Sequence, residues 1–241
     1  LLCMFCNVTV IRFFYNNEVR KTISALASQT LETISQNADS TIRIISKNST
    51  YLLGSSDIQN YLTRDIYGQN NTRLSRNLRN TLYLTLESMP AAQSIVVIDE
   101  NGYVESAARY IHPHCILSSP SEADWYEEVR SLQGTPIFLL NGGGYFAPER
   151  NNNYLSLIRL INSTEDARPL GYMIINIPLS ELFSISNVHG NNYSDICVYS
   201  GSSPVLDFSN EKLAEHFTWQ TARELSGKNK KELVAGSERY L

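Results

Sequence analysis

No glycine or proline occurs before Gly54, and the stretch from about residue 15 to 55 carries a helical apolar period. Ile23, Ala27, Leu31, Ile34, Ala38, Ile42, Ile45 and Leu52 recur at intervals of three, four or seven, with polar residues between them. That spacing puts the apolar side chains on one stripe of a single long amphipathic helix. Such a rod constrains everything after it. Its stripe must pack on a domain, and its near-heptad seam also permits a dimerisation stalk.

The rod is preceded by Leu1 to Ile11, a mostly apolar run that ends at Arg12 and Tyr15-Asn16-Asn17-Glu18. The run is too short to span a bilayer, which takes about 20 residues. It reads either as a buried helix start or as the last turns of a truncated transmembrane helix. No small-residue cleavage site follows it, which argues against a signal peptide. The chain starts without Met and ends in Arg239-Tyr240-Leu241, so we read it as a piece of something longer.

Downstream, Asp57 to Leu62 reads as a short helix capped by Ser55, Ser56 or Asp57. Asn70 to Leu86 reads as a third, with Leu74, Leu78, Leu82 and Leu86 at i, i+4 spacing and Pro90 beyond it. The pattern then changes to strands. Ser94 to Asp99 and Tyr103 to Ser106, joined by the turn Glu100-Asn101-Gly102, form a predicted hairpin. Residues 107–120 are irregular. Glu122 to Leu132 is a predicted helix that holds Trp125 and Tyr126, and Thr135 to Leu140 a strand. Gly142-Gly143-Gly144 must turn. Tyr154 to Ile161 and Leu170 to Ile177 are strands, and Leu179 to Ile185 a short helix. Asp195 to Tyr199, a Ser-Gly-Ser-Ser turn and Pro204 to Asp207 then echo the first hairpin, with a helix from Asn210 to Phe217 after them. The class is α+β with antiparallel sheets. A doubly wound sheet would need a βαβ run, which is missing.

Chemistry is sparse. With 20 Lys and Arg against 24 Asp and Glu, net −4, the chain lacks the basic face of a nucleic-acid binder. The one dense basic run is Lys228-Asn229-Lys230-Lys231. The Cys3-x-x-Cys6 pair has neither a second pair nor a strand–helix context, so zinc or redox chemistry is not expected. Spacing leaves open whether Cys115 and Cys197 pair. His112-Pro113-His114-Cys115 reads as a loop and not a metal site. No phosphate loop, nucleophile elbow or His-Glu-x-x-His occurs, and no carboxylate pair is marked as acid and base. We therefore expect no catalytic residue, no metal and no cofactor. The informative constellation is aromatic: Trp125 and Tyr126 on a helix, Tyr145-Phe146, and polar groups on the strands 154–159 and 171–179. Apolar walls with a few placed hydrogen bonds hold small polar ligands. The same aromatics would equally serve as core anchors between helix and sheet.

The order of these elements resembles the double Cache domain, an extracytoplasmic sensor built of two PAS-like units beside a long N-terminal helix. The likeness rests on the helix from about 15 to 55, Ile95-Val96-Val97-Ile98-Asp99-Glu100-Asn101-Gly102, Trp125-Tyr126, Leu170 to Leu182 and the new unit near Asp195. It is nearest in style to the sensor regions of Gram-positive histidine kinases. The resemblance implies a transmembrane end at 1–14, a stalk at 15–56, a membrane-distal unit at 57–188 and the start of a membrane-proximal unit at 189–241. It also implies a distal ligand pocket, whose matching positions are Trp125, Tyr126, Tyr145, Arg159 and Asn176. Amino-acid-binding members carry an Arg two residues before the Trp and an Asp on the later strand. Here Ala123 and Asn176 stand there, which disfavours an α-amino acid and favours a neutral polar ligand such as a sugar. A solute-binding protein docking outside an empty pocket is the alternative. The implied whole is a dimeric membrane receptor, foremost a two-component histidine kinase, with a chemoreceptor or membrane-bound transcriptional regulator as runner-up. A secreted carbohydrate-active enzyme or adhesin is the reading from a different class.

Overall fold

The absence of helix breakers before Gly54 has its direct result in α1, a helix over Leu2–Leu53. The structure is a computed structural model that describes residues 2–64, 71–110, 112–146, 153–183, 198–200, 203–206, 233–235 and 238–240. Within α1, Ile34, Ala38, Ile45, Ser49 and Leu52 are buried and Ile42 is half-buried, so most of the apolar period does face inward. Leu31 does not; it is exposed, as are Leu26, Ile44 and Tyr51. Among the described residues no helix is long and apolar enough to cross a membrane.

The chain divides into two compact units, residues 37–184 and residues 1–36 with 185–241. In the first, α2 (Ser56–Leu62) and α3 (Asn71–Glu87) follow α1. Leu78, Leu82 and Leu86 make the buried stripe of α3, the i, i+4 spacing at work. A five-stranded antiparallel sheet comes next, in the order β2-β1-β5-β4-β3. Its strands are β1 (Ser94–Asp99), β2 (Val104–Ala108), β3 (Ile137–Leu140), β4 (Tyr154–Asn162) and β5 (Pro169–Pro178). β1, β4 and β5 are buried over nearly their whole length, which is why their sequences run almost continuously apolar.

Register assigns the faces. Ser94, Asn176 and Ser156 are paired in one row, Val96, Ile174 and Ile158 in the next, and Ile98, Tyr172 and Leu160 in the third. These rows share one face of the pleat. The other face carries Ile95–Ile175–Leu157 and Val97–Met173–Arg159. Arg159 bonds α1 there, and Glu105 bonds Ser75 and Arg79 of α3. The N-terminal helices thus lie on one face, and Ala123, Trp125, Val129, Tyr145 and Phe146 pack on the other.

The Asp99-Glu100-Asn101-Gly102 turn is fixed from both sides. Asp99 Oδ1 accepts the backbone N–H groups of Asn101 and Tyr103, both at 2.9 Å. Its Oδ2 accepts Arg64 Nη2 at 3.1 Å, with both side chains almost fully buried. Arg64 in turn stacks 3.6 Å over the Tyr61 ring, so α2 is locked to the hairpin. Gly102, at φ 84°, lies where a Cβ would strike the carbonyl oxygen of Ser118.

Two differences from the sequence reading are instructive. The expected helix from Glu122 is broken: a 3₁₀ turn over Pro120–Glu122 precedes α4, which covers only Tyr126–Ser131. Ala123 is extended, at ψ 139°, so Trp125 sits at the helix N-cap and not inside it. In the second unit, β6 (Val198–Ser200) and β7 (Ser203–Leu206) form the expected hairpin, and β8 (Leu233–Ala235) with β9 (Glu238–Tyr240) forms one not anticipated. The helix expected over Asn210 to Phe217 lies outside the described residues. α5 is a single turn, Leu179–Leu182.

Two substitutions test this account. A Cβ on Gly171 would sit 2.3 Å from the carbonyl oxygen of Ile98 on the neighbouring strand. Gly171→Ala should therefore cost about 1–3 kcal/mol by overpacking. Asp99→Ala, which strands a buried guanidinium, should cost about 3–5 kcal/mol. Urea unfolding monitored by circular dichroism reads both, and a midpoint unchanged from the parent protein contradicts them.

Candidate functional site: the Trp125 face of the sheet

Four successive residues, Asn141 to Gly144, have positive φ, between 50° and 83°. A left-handed run of this kind is costly for side-chain-bearing residues and nearly free for glycine. Here it also answers a contact. A Cβ on Gly143 would meet Trp125 Cδ1 at 2.6 Å, and one on Gly142 would meet the Phe146 ring at 2.6 Å. The glycines let the turn close over the aromatic side chains.

The turn is held by its own polar groups. Trp125 Nε1 donates to the carbonyl oxygen of Gly142 at 2.9 Å, and the Tyr145 N–H donates to the same oxygen at 3.1 Å. Gly142 N–H donates to Ser156 Oγ at 2.8 Å, Ser156 Oγ donates to Asn176 Oδ1 at 2.6 Å, and Asn176 Nδ2 donates to Ser94 Oγ at 3.1 Å. A polar row thus crosses three strands inside an otherwise apolar face. Each of its buried groups is paired, as burial demands. Asn141 closes the other end, accepting the Tyr154 N–H and donating to Asn153.

Above this row the aromatics form one cluster. Trp125 lies 5.5 Å from Tyr172, near edge-to-face, and 6.0 Å from Tyr145. Tyr126 lies 5.7 Å from Tyr172, and Tyr145 packs edge-on to Phe146 at 5.5 Å. Val96, Ile98, Ile158, Leu160 and Ile174 floor it. At the rim, Arg130 Nη1 donates to Glu100 at 2.9 Å, to the Tyr126 hydroxyl at 3.1 Å and to the Tyr172 hydroxyl at 3.2 Å. The Tyr172 bond raises the guanidinium's pKa, and burial raises that of the Tyr172 phenol.

One group in the cluster is left over. Tyr145 is fully buried, and its hydroxyl has no hydrogen-bond partner among the described residues. Burial pushes its pKa up to about 12. A buried unpaired hydroxyl costs about 1–3 kcal/mol, and such exceptions call for an explanation.

Four of the five positions expected from sequence therefore meet on one face: Trp125, Tyr126, Tyr145 and Asn176. Arg159 does not join them. Its side chain projects from the opposite face, because β4 alternates and Arg159 lies one residue out of phase with Ile158 and Leu160. There its Nε donates to the carbonyl oxygen of Gly134 at 2.9 Å and its Nη1 to Ser49 and Thr50 of α1. Asn176 is turned toward Ser94 and Ser156. Tyr172 and Arg130 were not singled out by sequence. The i, i+4 spacing of Tyr126 and Arg130 was the available signal; Tyr172 is marked only by its register with Ile98. A groove of about 470 Å³ along α1, lined by Arg43, Lys47, Thr50 and Phe138 among others, shares no residue with the cluster. Among the described residues no three metal-ligating side chains converge, and Cys115 is free, while Cys197 lies outside those residues.

No family model and no curated protein matches this chain. Solved structures do. The extracellular domain of vpHK1S-Z8, a protein assigned to the histidine kinases, is 14% identical, with 90% of this chain and 86% of that one covered and a TM-score of 0.62. The ligand-binding domain of the Campylobacter jejuni chemoreceptor Tlp3, solved with L-norvaline, is 16% identical over 91% and 84%, at 0.61. The sensor domain of the V. cholerae histidine kinase DctB is 12% identical over 79% and 68%, at 0.56. The fold is accordingly that of Cache-type, PAS-like extracellular sensor domains.

Removing the leftover hydroxyl gives a signed prediction. Tyr145→Phe should stabilise the ligand-free chain by about 1 kcal/mol. Alkaline unfolding gives a second. The phenol's folded pKa of about 12 lies above its ordinary 10.0, so its contribution to stability is full below pH 10 and lost as pH rises toward 12. The Phe variant should lose less stability across that window. A variant less stable at pH 7, with the same alkaline slope as the parent, would contradict both.

Proposed function

We propose that this chain is the extracytoplasmic ligand-sensing segment of a transmembrane receptor, foremost a two-component sensor histidine kinase. The observation that carries the reading is the buried, unpartnered hydroxyl of Tyr145 beside Trp125, within the fold of known sensor domains. A ligand oxygen or N–H there would satisfy a group that no described residue satisfies. Trp125 and Tyr126 would supply apolar walls, and Asn176 would hold the turn that closes over them.

The ligand class follows from the charges that are absent or engaged. Ala123 offers no guanidinium, Asn176 is a neutral amide, and Arg130 is already shared among Glu100, Tyr126 and Tyr172. A carboxylate or an ammonium would find no free counter-charge among these groups, and desolvating an unpaired ion is expensive. We therefore assign a small neutral polar ligand of the sugar or polyol class. Binding would select one arrangement of α1, and α1 would carry that bias across the membrane in a dimer. In this reading residues 1–14 end a transmembrane helix, 15–56 form the stalk, 57–188 the membrane-distal unit and 189–241 the start of a proximal one. The segment itself catalyses nothing.

Isothermal titration of the 241-residue chain with a panel of monosaccharides, polyols and amino acids tests this. Saturable binding of a neutral member without turnover is expected, weakened at least about tenfold, or 1.4 kcal/mol, by Trp125→Ala. Binding confined to amino acids would overturn the ligand class. Turnover would favour the enzyme reading. The coding frame beyond Leu241 decides the output module: a His-bearing helical pair after a second apolar span marks a kinase, and a long polar helical bundle marks a chemoreceptor.

A further inference from the structure

We propose that Arg159 is the residue that couples the Trp125 face to α1, a positioning role that rests on the sensor reading above. Its guanidinium joins two elements that serve different ends. Nε and Nη2 donate to the carbonyl oxygen of Gly134, and Nη1 donates to Ser49 Oγ at 2.7 Å and to Thr50 Oγ1 at 2.9 Å. Gly134 lies in the short connection after α4, the helix that Trp125 precedes at the N-cap and that carries Tyr126 and Arg130. Ser49 and Thr50 lie in the last turns of α1. On the helix-covered face of the sheet, one side chain therefore spans from the exit of the aromatic helix to the long helix.

The chemistry of the contact argues against simple filler. Arg159 is almost fully buried, beside Met173 and Val97 in its row, and no carboxylate pairs with it among the described residues. Desolvation lowers its pKa. An apolar side chain at this place would pack without that penalty, and buried polar groups are best attested where they fix one arrangement of elements over another. The planar fork imposes direction: shifting Gly134 moves the acceptor of two of its donors, and the remaining donors hold α1. Gly134 itself is set by its backbone angle rather than by crowding. It adopts φ 95°, and a Cβ there would touch the carbonyl oxygen of Leu160 and Leu53 Cδ1 of α1.

A mutant cycle in the ligand-free 241-residue chain tests the coupling separately from ligand binding. Trp125→Phe removes the bond to Gly142 and perturbs the aromatic face. Ser49→Ala with Thr50→Val removes the α1 end of the link, together with the two hydroxyls' bonds to the carbonyl oxygen of Ser46, and leaves Arg159 on Gly134, so each background is compared with its own Trp125 parent. Amide hydrogen exchange over residues 46–53 is the readout. Trp125→Phe should change that exchange about threefold or more in the parent chain, and should leave it unchanged in the Ser49→Ala/Thr50→Val background. Arg159→Lys, which keeps the charge but not the fork, should abolish the response in the same way and serves if the double variant fails to fold. Equal responses in all backgrounds, or no response in the parent, would overturn the proposal. Because no ligand enters the cycle, a failed ligand screen leaves it standing, and a failed cycle leaves the binding site standing.

Discussion

The Trp125 face depends on one carbonyl oxygen, that of Gly142. It accepts both the indole N–H of Trp125 and the backbone N–H of Tyr145. It can do so only because four consecutive residues take left-handed backbone angles. The same glycine's N–H is held by Ser156, which is held by Asn176, which reaches Ser94 on β1. The sheet thus aims the turn, the turn places the indole, and the indole orders the ring cluster. Tyr145 enters that arrangement with its backbone paired and its hydroxyl without a partner among the described residues.

The sheet separates two kinds of work. On one face, apolar rows floor an aromatic cluster. On the other, the rows pack beneath helices and include one cation, Arg159, bonded across to α1. The strict alternation of β4 makes this division sharp: Ile158 and Leu160 look one way while Leu157, Arg159 and Ile161 look the other. Any change on the aromatic face that reaches α1 must pass the sheet or go round one of its edges, β2 or β3. Gly134 stands at the β3 edge, between α4 and β3, with its carbonyl on Arg159.

Much of the fold could be read from the chain because the signals were local. The unbroken period to Gly54, the leucine spacing of α3, the Asp-x-Asn-Gly turn and the apolar runs of β4 and β5 all depend on neighbours in sequence. What was misread depended on tertiary context. Trp125 falls at a helix N-cap because the extended Ala123 interrupts the helix, and no short-range pattern forced that break. Arg159 was placed with the aromatics by likeness, yet counting by twos from Ile158 would have turned it away. Tyr172 was hidden inside an apolar strand, where its role comes from register with β1. The triple glycine announced a turn but not its hand, nor its contact with Trp125.

The most direct test is a crystal structure of this chain with a neutral polyhydroxyl compound selected by titration. The account predicts the compound against Trp125, with one of its polar atoms about 2.7–3.2 Å from the Tyr145 hydroxyl. A compound lodged in the groove along α1, with that hydroxyl still unpaired, would contradict it.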